Sequence, residues 1–411
     1  MNGPARIISA GGKGGARLGR TWKTECFPRK QFSTRTLSTV RTISASDLHH
    51  RTTQMIPCSS RRSFASESRP RKPVMAPKDF KYCVDLVQNR DRESYLCGLL
   101  MPHDARKSYF AIRAWNVELA SIKDGSTQKK PTGNDGPNVA LQVRFQWWFD
   151  ALNQIYEIPQ EKENKINKED YAPFSVSETL AASYLKNPIV RVLNAAVHEK
   201  QLTRRFIERL SEAREADLSS EQPKTMEELI EYADNIFSSL LYLTLETVDV
   251  RDESVDIIAQ HAGIGIGLVT ALRGLRMRLI QGECIIPKEL LPMRFPYDSL
   301  IHTNNCSFAD ADHEIHKDER NQQLTEDERE FLRDAVEQMC ITAYSHLSQA
   351  QELQGDVPKH ARTCFLPVIP AMHYLKKLET ADYDIFDDKL MEHDNMTILA
   401  LLGKTWLTGK F

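Results

Sequence analysis

The sequence predicts an all-α protein, and three observations predict it. Apolar residues recur at three- and four-residue steps from about Pro77 onward. Capping signatures stand at the head of several of these stretches. No alternating apolar–polar run of useful length occurs, so nothing in the pattern asks for a sheet.

The N-terminal segment differs in kind from the rest. Residues 1–75 carry fifteen Lys or Arg and only three acids, Glu25, Asp47 and Glu67, a balance of +12. The whole chain of 411 residues sums to −2, so the remainder carries −14. A basic, Ser/Thr-rich, acid-poor leader on an acidic body has the composition of a mitochondrial transit peptide. Arg62-Ser63-Phe64 followed by Ala65-Ser66 has the form of a matrix-protease site. The expected organisation is a transit peptide over 1–64, a disordered linker over 65–77 and a helical domain over 78–405. A basic tail that binds nucleic acid or membranes is the competing reading, and a plastid leader is the rival within the first. The near-neutral total argues against a nucleic-acid partner.

Helical stripes follow in order. Ile112, Trp115, Leu119 and Ile122 form one; Leu141, Phe145, Trp148, Leu152 and Ile155 form another. Pro102 and Pro188 stand where helices begin, and capping boxes are read at Ser175/Glu178, Thr225/Glu228 and Thr325/Glu328. Loops are expected over 124–138, 159–173 and 302–323. The longest charge-free apolar run, near Ile257–Leu272, is shorter than the ~20 residues a spanning helix needs, so no transmembrane helix is expected. The eight cysteines contain no CxxC pair, which signals neither a zinc site nor a disulfide framework.

Several stretches together carry a family resemblance. Tyr95-Leu96-Cys97-Gly98-Leu99-Leu100-Met101-Pro102, then Arg106, Phe110-Ala111 and Ala114-Trp115, resembles the opening of the squalene/phytoene synthases. Trp147-Trp148 through Leu152 and Tyr156, Asn187-Pro188-Ile189-Val190, Glu215-Ala216-Asp217-Leu218 ("MEMDL") and Gly282-Glu283-Cys284-Ile285-Ile286-Pro287 ("GRCYLP") follow in the family's order over roughly residues 80–380. The resemblance implies a single isoprenoid-synthase-like helical domain with a central cavity. It also implies two Asp-rich motifs holding Mg²⁺ against a departing diphosphate.

This chain departs from both motifs. The first, "DDxxD", falls on Ala120, Ser121 and Asp124. The second, "NxxRDxxED", falls on Thr270, Arg273, Gly274, Met277 and Arg278, and only its Arg is kept. The family's "YCHYVAG" helix reads Tyr232-Ala233-Asp234-Asn235-Ile236-Phe237-Ser238, with Phe237 expected to narrow the cavity. Independently of the family, the face bearing Gly267, Thr270, Gly274 and Met277/Arg278 holds no carboxylate. Gly263, Gly267 and Gly274 read as close-packing positions. The expectation is a remnant cavity with no catalytic residue, no metal and no cofactor. Asp124, Asp217, Arg273, Arg276 and Arg278 are the residues most apt to line the remnant groove.

A synthase-like chain with a mitochondrial leader and both motifs altered resembles the branch of the family that assembles respiratory complex I. That resemblance implies a matrix-side scaffold or chaperone, peripheral to the inner membrane, whose partners are complex I subunits or other assembly factors. Two alternatives stand beside it: a prenyl or terpene synthase with rearranged ligands at Asp124, Asp217 or Asp234, and a lipid or prenyl carrier without chemistry. Asp310, Asp312, His313 and His316 read as a solvated loop, and Asp384, Asp387 and Asp388 as a surface turn. Arg273, Arg276 and Arg278 could hold a phosphate, but no Gly-rich cradle accompanies them.

Overall fold

The computed structural model describes residues 75–124, 139–157, 183–218, 222–280, 283–293, 295, 325–392 and 394–411. The leader, the three expected loops, the Ser175/Glu178 box and the 310–316 cluster lie outside the described residues. Among the described residues every regular element is helical.

Three helices open the domain: α1 (Pro77–Arg90), α2 (Arg92–Leu99) and α3 (His103–Asp124). α1 starts on Pro77, where a missing N–H costs nothing. α4 (Val139–Glu157), α5 (Pro188–Lys200) and α6 (Arg204–Ala216) follow. Asn187 caps α5, its Oδ1 accepting from Ile189 N at 2.8 Å and Val190 N at 3.4 Å. α7 (Met226–Ala233) runs through a π-helical stretch, Asp234–Ser238, into α8 (Ser239–Thr247). α9 (Glu253–Ile280), α10 (Glu326–Glu352), α11 (Val368–Thr380) and α12 (Asn395–Thr408) complete the set.

The capping signatures are realised to different degrees. Thr325 and Glu328 form a complete capping box at the head of α10. At α7 only half forms: Thr225 Oγ1 accepts from Glu228 N, but the Glu228 carboxylate accepts from Lys224 N at 2.7 Å, one residue before the position a box requires.

The two sequence stripes both face the core. Ile112, Trp115, Leu119 and Ile122 are buried, as are Phe145, Trp148, Leu152 and Ile155. Trp115 and Trp148 meet edge to face at 4.9 Å, and Trp147 continues the stack onto Tyr184 at 5.4 Å. Buried Asp79 ties α1 to α5 through Arg191, whose Nε and Nη2 reach its two oxygens at 2.7 and 2.6 Å.

α9 is the central helix, packed against α7, the π stretch, α8, α10 and α11. Its Glu253–Leu279 span contains an 18-residue window of mean hydropathy 1.5, long and apolar enough to cross a membrane by length and composition. The charge-free run Ile257–Leu272 is followed by Arg273, Arg276 and Arg278, which end the apolar stretch. Here 61% of that window is buried among the neighbouring helices, so its apolarity serves the core.

The α9 glycines split into two roles. A Cβ on Gly263 would stand 2.5 Å from Ser238 Cα, and one on Gly267 would stand 2.5 Å from Ala233 Cβ. Only glycine lets α9 approach the π stretch this closely. Gly274 differs from the close-packing role expected of it, since an added Cβ would meet nothing within 4 Å.

Two outcomes follow. Gly263→Ala should cost about 2–3 kcal/mol or more, because rigid backbone stands in the way. Gly274→Ala should stabilise by about 0.5–1 kcal/mol, because helix propensity gains without a clash; urea unfolding of both variants measures the contrast. Asp256, in the first turn of α9, is pushed up to about 6 by burial and then by Glu246, Asp252 and Glu253. Its folded pKa exceeds its unfolded one, so its contribution favours the fold in acid and is lost as pH rises between the two. Asp256→Asn should therefore raise the thermal midpoint more at about pH 7.5 than at about pH 4.5.

Candidate functional site

Three helix C-termini converge beside the core. α3 ends with Lys123 in its last turn, α9 ends with Arg278 in its last turn, and Asp217 is the residue that caps α6. Helix C-termini carry partial negative charge, so the convergence favours cations. A cleft of about 390 Å³ opens there, walled on its other sides by Leu229 and Tyr232 of α7, Phe237 of the π stretch and Cys284-Ile285. Gln222 holds that last segment by donating from Nε2 to Ile286 O at 2.7 Å.

Four of the lining residues form a charge network. Lys123 Nζ lies 3.3 Å from an Asp217 carboxylate oxygen and 3.0 Å from one of Glu283. Arg278 reaches the same two carboxylates at 3.7 and 3.3 Å. Lys123 also donates to Asp217 O at 3.0 Å, which ties the end of α3 to the end of α6. Tyr232 and Arg214 extend the network: Arg214 Nη1 donates to the Tyr232 hydroxyl at 3.1 Å, and that hydroxyl donates to Asp217 at 3.4 Å. Burial opposes the Arg278 charge, but Asp217, Tyr232 and Glu283 outweigh it and raise its pKa above the ordinary value. Burial alone drives the Cys284 thiol up to about 11, which leaves it protonated and unreactive.

Among the described residues the charges lining the cleft are balanced. Lys123, Arg214 and Arg278 face Asp217, Glu228 and Glu283. A divalent cation needs a surplus of hard anionic oxygens, and a diphosphate needs a surplus of cations. The six side chains offer neither. Among the described residues no group of three or more His, Cys, Asp and Glu is placed to hold a metal ion.

The structure separates the residues expected to line the groove. Asp217 and Arg278 do line it. Arg273 and Arg276 do not. Arg273 pairs with Glu93 of α2 and lies over the Tyr374 ring at 4.9 Å, while Arg276 reaches Asp388 at 3.0 Å. Helix geometry accounts for this: at ~100° per residue, Arg273 and Arg276 point ~140° and ~160° away from Arg278. Asp124 ends α3, and its side chain lies outside the described residues. Asp234 is engaged elsewhere, by Arg209 and by Gln260 Nε2 at 3.3 Å, and Asn235 accepts from Arg209 Nε at 2.6 Å. Phe237 stands on the cleft wall. Asp384 and Asp387 serve turns, accepting from Phe386 N and Lys389 N at 2.9 Å each.

Lys123 and Glu283 went unnoticed as site residues. One signal was available. Glu283 stands where the quoted "GRCYLP" stretch has Arg, and Arg278 stands where the second motif has its final Asp. The two departures exchange sign across a pair 3.3 Å apart.

Comparison with known proteins adds the family context. A family model described as squalene/phytoene synthase matches residues 87–396. A Mus musculus protein named NADH dehydrogenase (ubiquinone) complex I, assembly factor 6 is 30% identical over 350 residues, covering 85% of this chain and 87% of its own. The Homo sapiens protein of the same name is 29% identical, covering 79% and 81%. Among solved structures, a dehydrosqualene synthase superposes with a TM-score of 0.57 at 16% identity, covering 80% of this chain and 97% of its own, which shows a shared fold.

The network predicts its own energetics. Lys123→Met removes one of the cations that Asp217 and Glu283 share and should cost about 1–3 kcal/mol, below the figure for a fully buried pair because these groups keep partial solvent access. Combining it with Glu283→Gln should cost clearly less than the sum of the two single changes. A double-mutant cycle by chemical denaturation measures that coupling.

Proposed function

The chain belongs to the squalene/phytoene synthase family, and we propose that within it this protein is a non-catalytic assembly factor for mitochondrial NADH dehydrogenase, complex I. The observation that carries the reading is its similarity, at 30% identity over 85% of its length, to a protein named as an assembly factor of that complex. Two features of the chain support it. Among the described residues the cleft presents cations and carboxylates paired with one another, an arrangement that offers a metal–diphosphate pair little net attraction. The basic residues 1–64 fit an import leader that delivers the helical domain to the matrix, where the inner membrane and the growing complex are at hand. In this reading the domain acts as a scaffold or chaperone on the matrix side of the inner membrane. Its partners are complex I subunits or other assembly factors.

The reading gives the domain a physical task. Complex I subunits carry apolar surface that must stay covered until they meet their neighbours, and a rigid helical body can hold such a subunit without turning anything over. The cleft then serves stability: the charge network joins the ends of α3, α6 and α9, so the surrounding surface keeps one shape.

A prenyl-transfer enzyme is the second reading, and the fold alone favours it. The two separate cleanly. Cells lacking this gene should lose complex I while the other respiratory complexes stay near normal in quantitative mitochondrial proteomics. The purified protein should give no product from farnesyl or geranylgeranyl diphosphate with Mg²⁺. Intact complex I in the deletion, or turnover of either substrate, would overturn the reading.

A further inference from the structure

We propose that α12 is an interfacial helix that lays its outward face into an anionic lipid surface. The helix is anchored from within: Ile398, Leu402 and Thr405 are buried, and beyond it Phe411 stacks on Phe365 at 4.6 Å. Arg362 Nη1 donates to Gly409 O at 3.2 Å and fixes the turn where the helix ends. Its orientation is therefore set by the core, and the side chains left outside are held there.

Those side chains are apolar. Met396 is 79% exposed, Leu407 78%, Trp406 51% and Leu399 42%. At ~100° per residue, Leu399, Gly403, Met396, Leu407 and Ala400 fill one continuous arc opposite the buried stripe, with Trp406 at one edge and Lys404 at the other. A surface helix of a globular domain places polar groups on that arc. Here the buried stripe and the exposed arc are both apolar. The helix runs 14 residues, ~21 Å, too short to span a bilayer and long enough to lie along one.

Charge selects the occupant. From Asn395 to Lys410 the only charged side chains are Lys404 and Lys410, and Lys359 and His360 are exposed on the segment that carries Arg362. At the far end of the helix Asp394 is held by Lys377 at 2.8 Å and His373 at 3.1 Å; at the C-terminal end exposed Asp356, on the turn whose Gln354 accepts from Phe411 N at 3.3 Å, stands against Lys359, Lys404 and Lys410. An apolar arc flanked by lysines, with a tryptophan at its edge, matches the boundary between acyl chains and anionic headgroups. Lysine stems can lie along the apolar layer while their ammonium groups reach the phosphates. This deepens the membrane-surface part of the reading above, and it fails separately, because it is measured on purified protein without complex I.

The test reads α12 directly and is blind to the basic leader. The full chain is treated with dilute hydrogen peroxide, alone or with vesicles of phosphatidylcholine and phosphatidylglycerol, and methionine oxidation is followed by mass spectrometry. Vesicles should slow oxidation of Met396 about fivefold or more and leave exposed Met293 unchanged. The double variant W406S/L407S, altered only at exposed positions, should lose that protection while keeping its unfolding midpoint. High salt should weaken the protection, and neutral vesicles should give less of it. Oxidation of Met396 at its lipid-free rate would overturn the proposal. So would protection that persists in the double variant, or protection that grows with protein concentration in the absence of lipid, which would assign the arc to a second copy.

Discussion

Three helices end at one place, and the partial negative charge of their C-termini has to be met. Lys123 and Arg278 meet it from the last turns of α3 and α9, while Asp217 at the end of α6 and Glu283 just past α9 return the balance to neutrality. Each cation touches both carboxylates, so no member can be withdrawn without stranding the others in a partly desolvated cleft.

The second constraint is the close approach of α9 to the segment around Asp234–Ser238. Gly263 and Gly267 remove the side chains that would otherwise hold the helices apart, and the π stretch supplies the backbone that comes near. A π turn re-aims the residues it carries. Here it places Phe237 on the cleft wall, while Asp234 and Asn235 turn toward Arg209 on α6. The same stretch thus supplies one wall residue of the cleft and one carboxylate engaged outside it.

Much of the fold was legible in the sequence because helix periodicity and caps are local signals. The stripes through Trp115 and Trp148 and the box at Thr325/Glu328 needed only neighbours a few residues away. The site was legible in part. Asp217 and Arg278 were found through motif positions, but their partners Lys123 and Glu283 lie 94 residues before one and five after the other, and no local rule joins them. Arg273 and Arg276 were grouped with Arg278 by proximity in sequence, although helix rotation sends them to Glu93 and Asp388. The apolarity of α9 is legible as the charge-free run Ile257–Leu272, but its burial is not, because that depends on helices distant in sequence.

Family membership and the charge network bear on function from different sides. The fold is shared with synthases, and among the described residues lining the cleft cations and carboxylates are equal in number. The most direct measurement is calorimetric titration of the full chain with Mg²⁺ and inorganic pyrophosphate together. The account predicts no saturable heat at millimolar ligand, because the network leaves neither ion a surplus of opposite charge. Saturable, stoichiometric binding of the pair would contradict it.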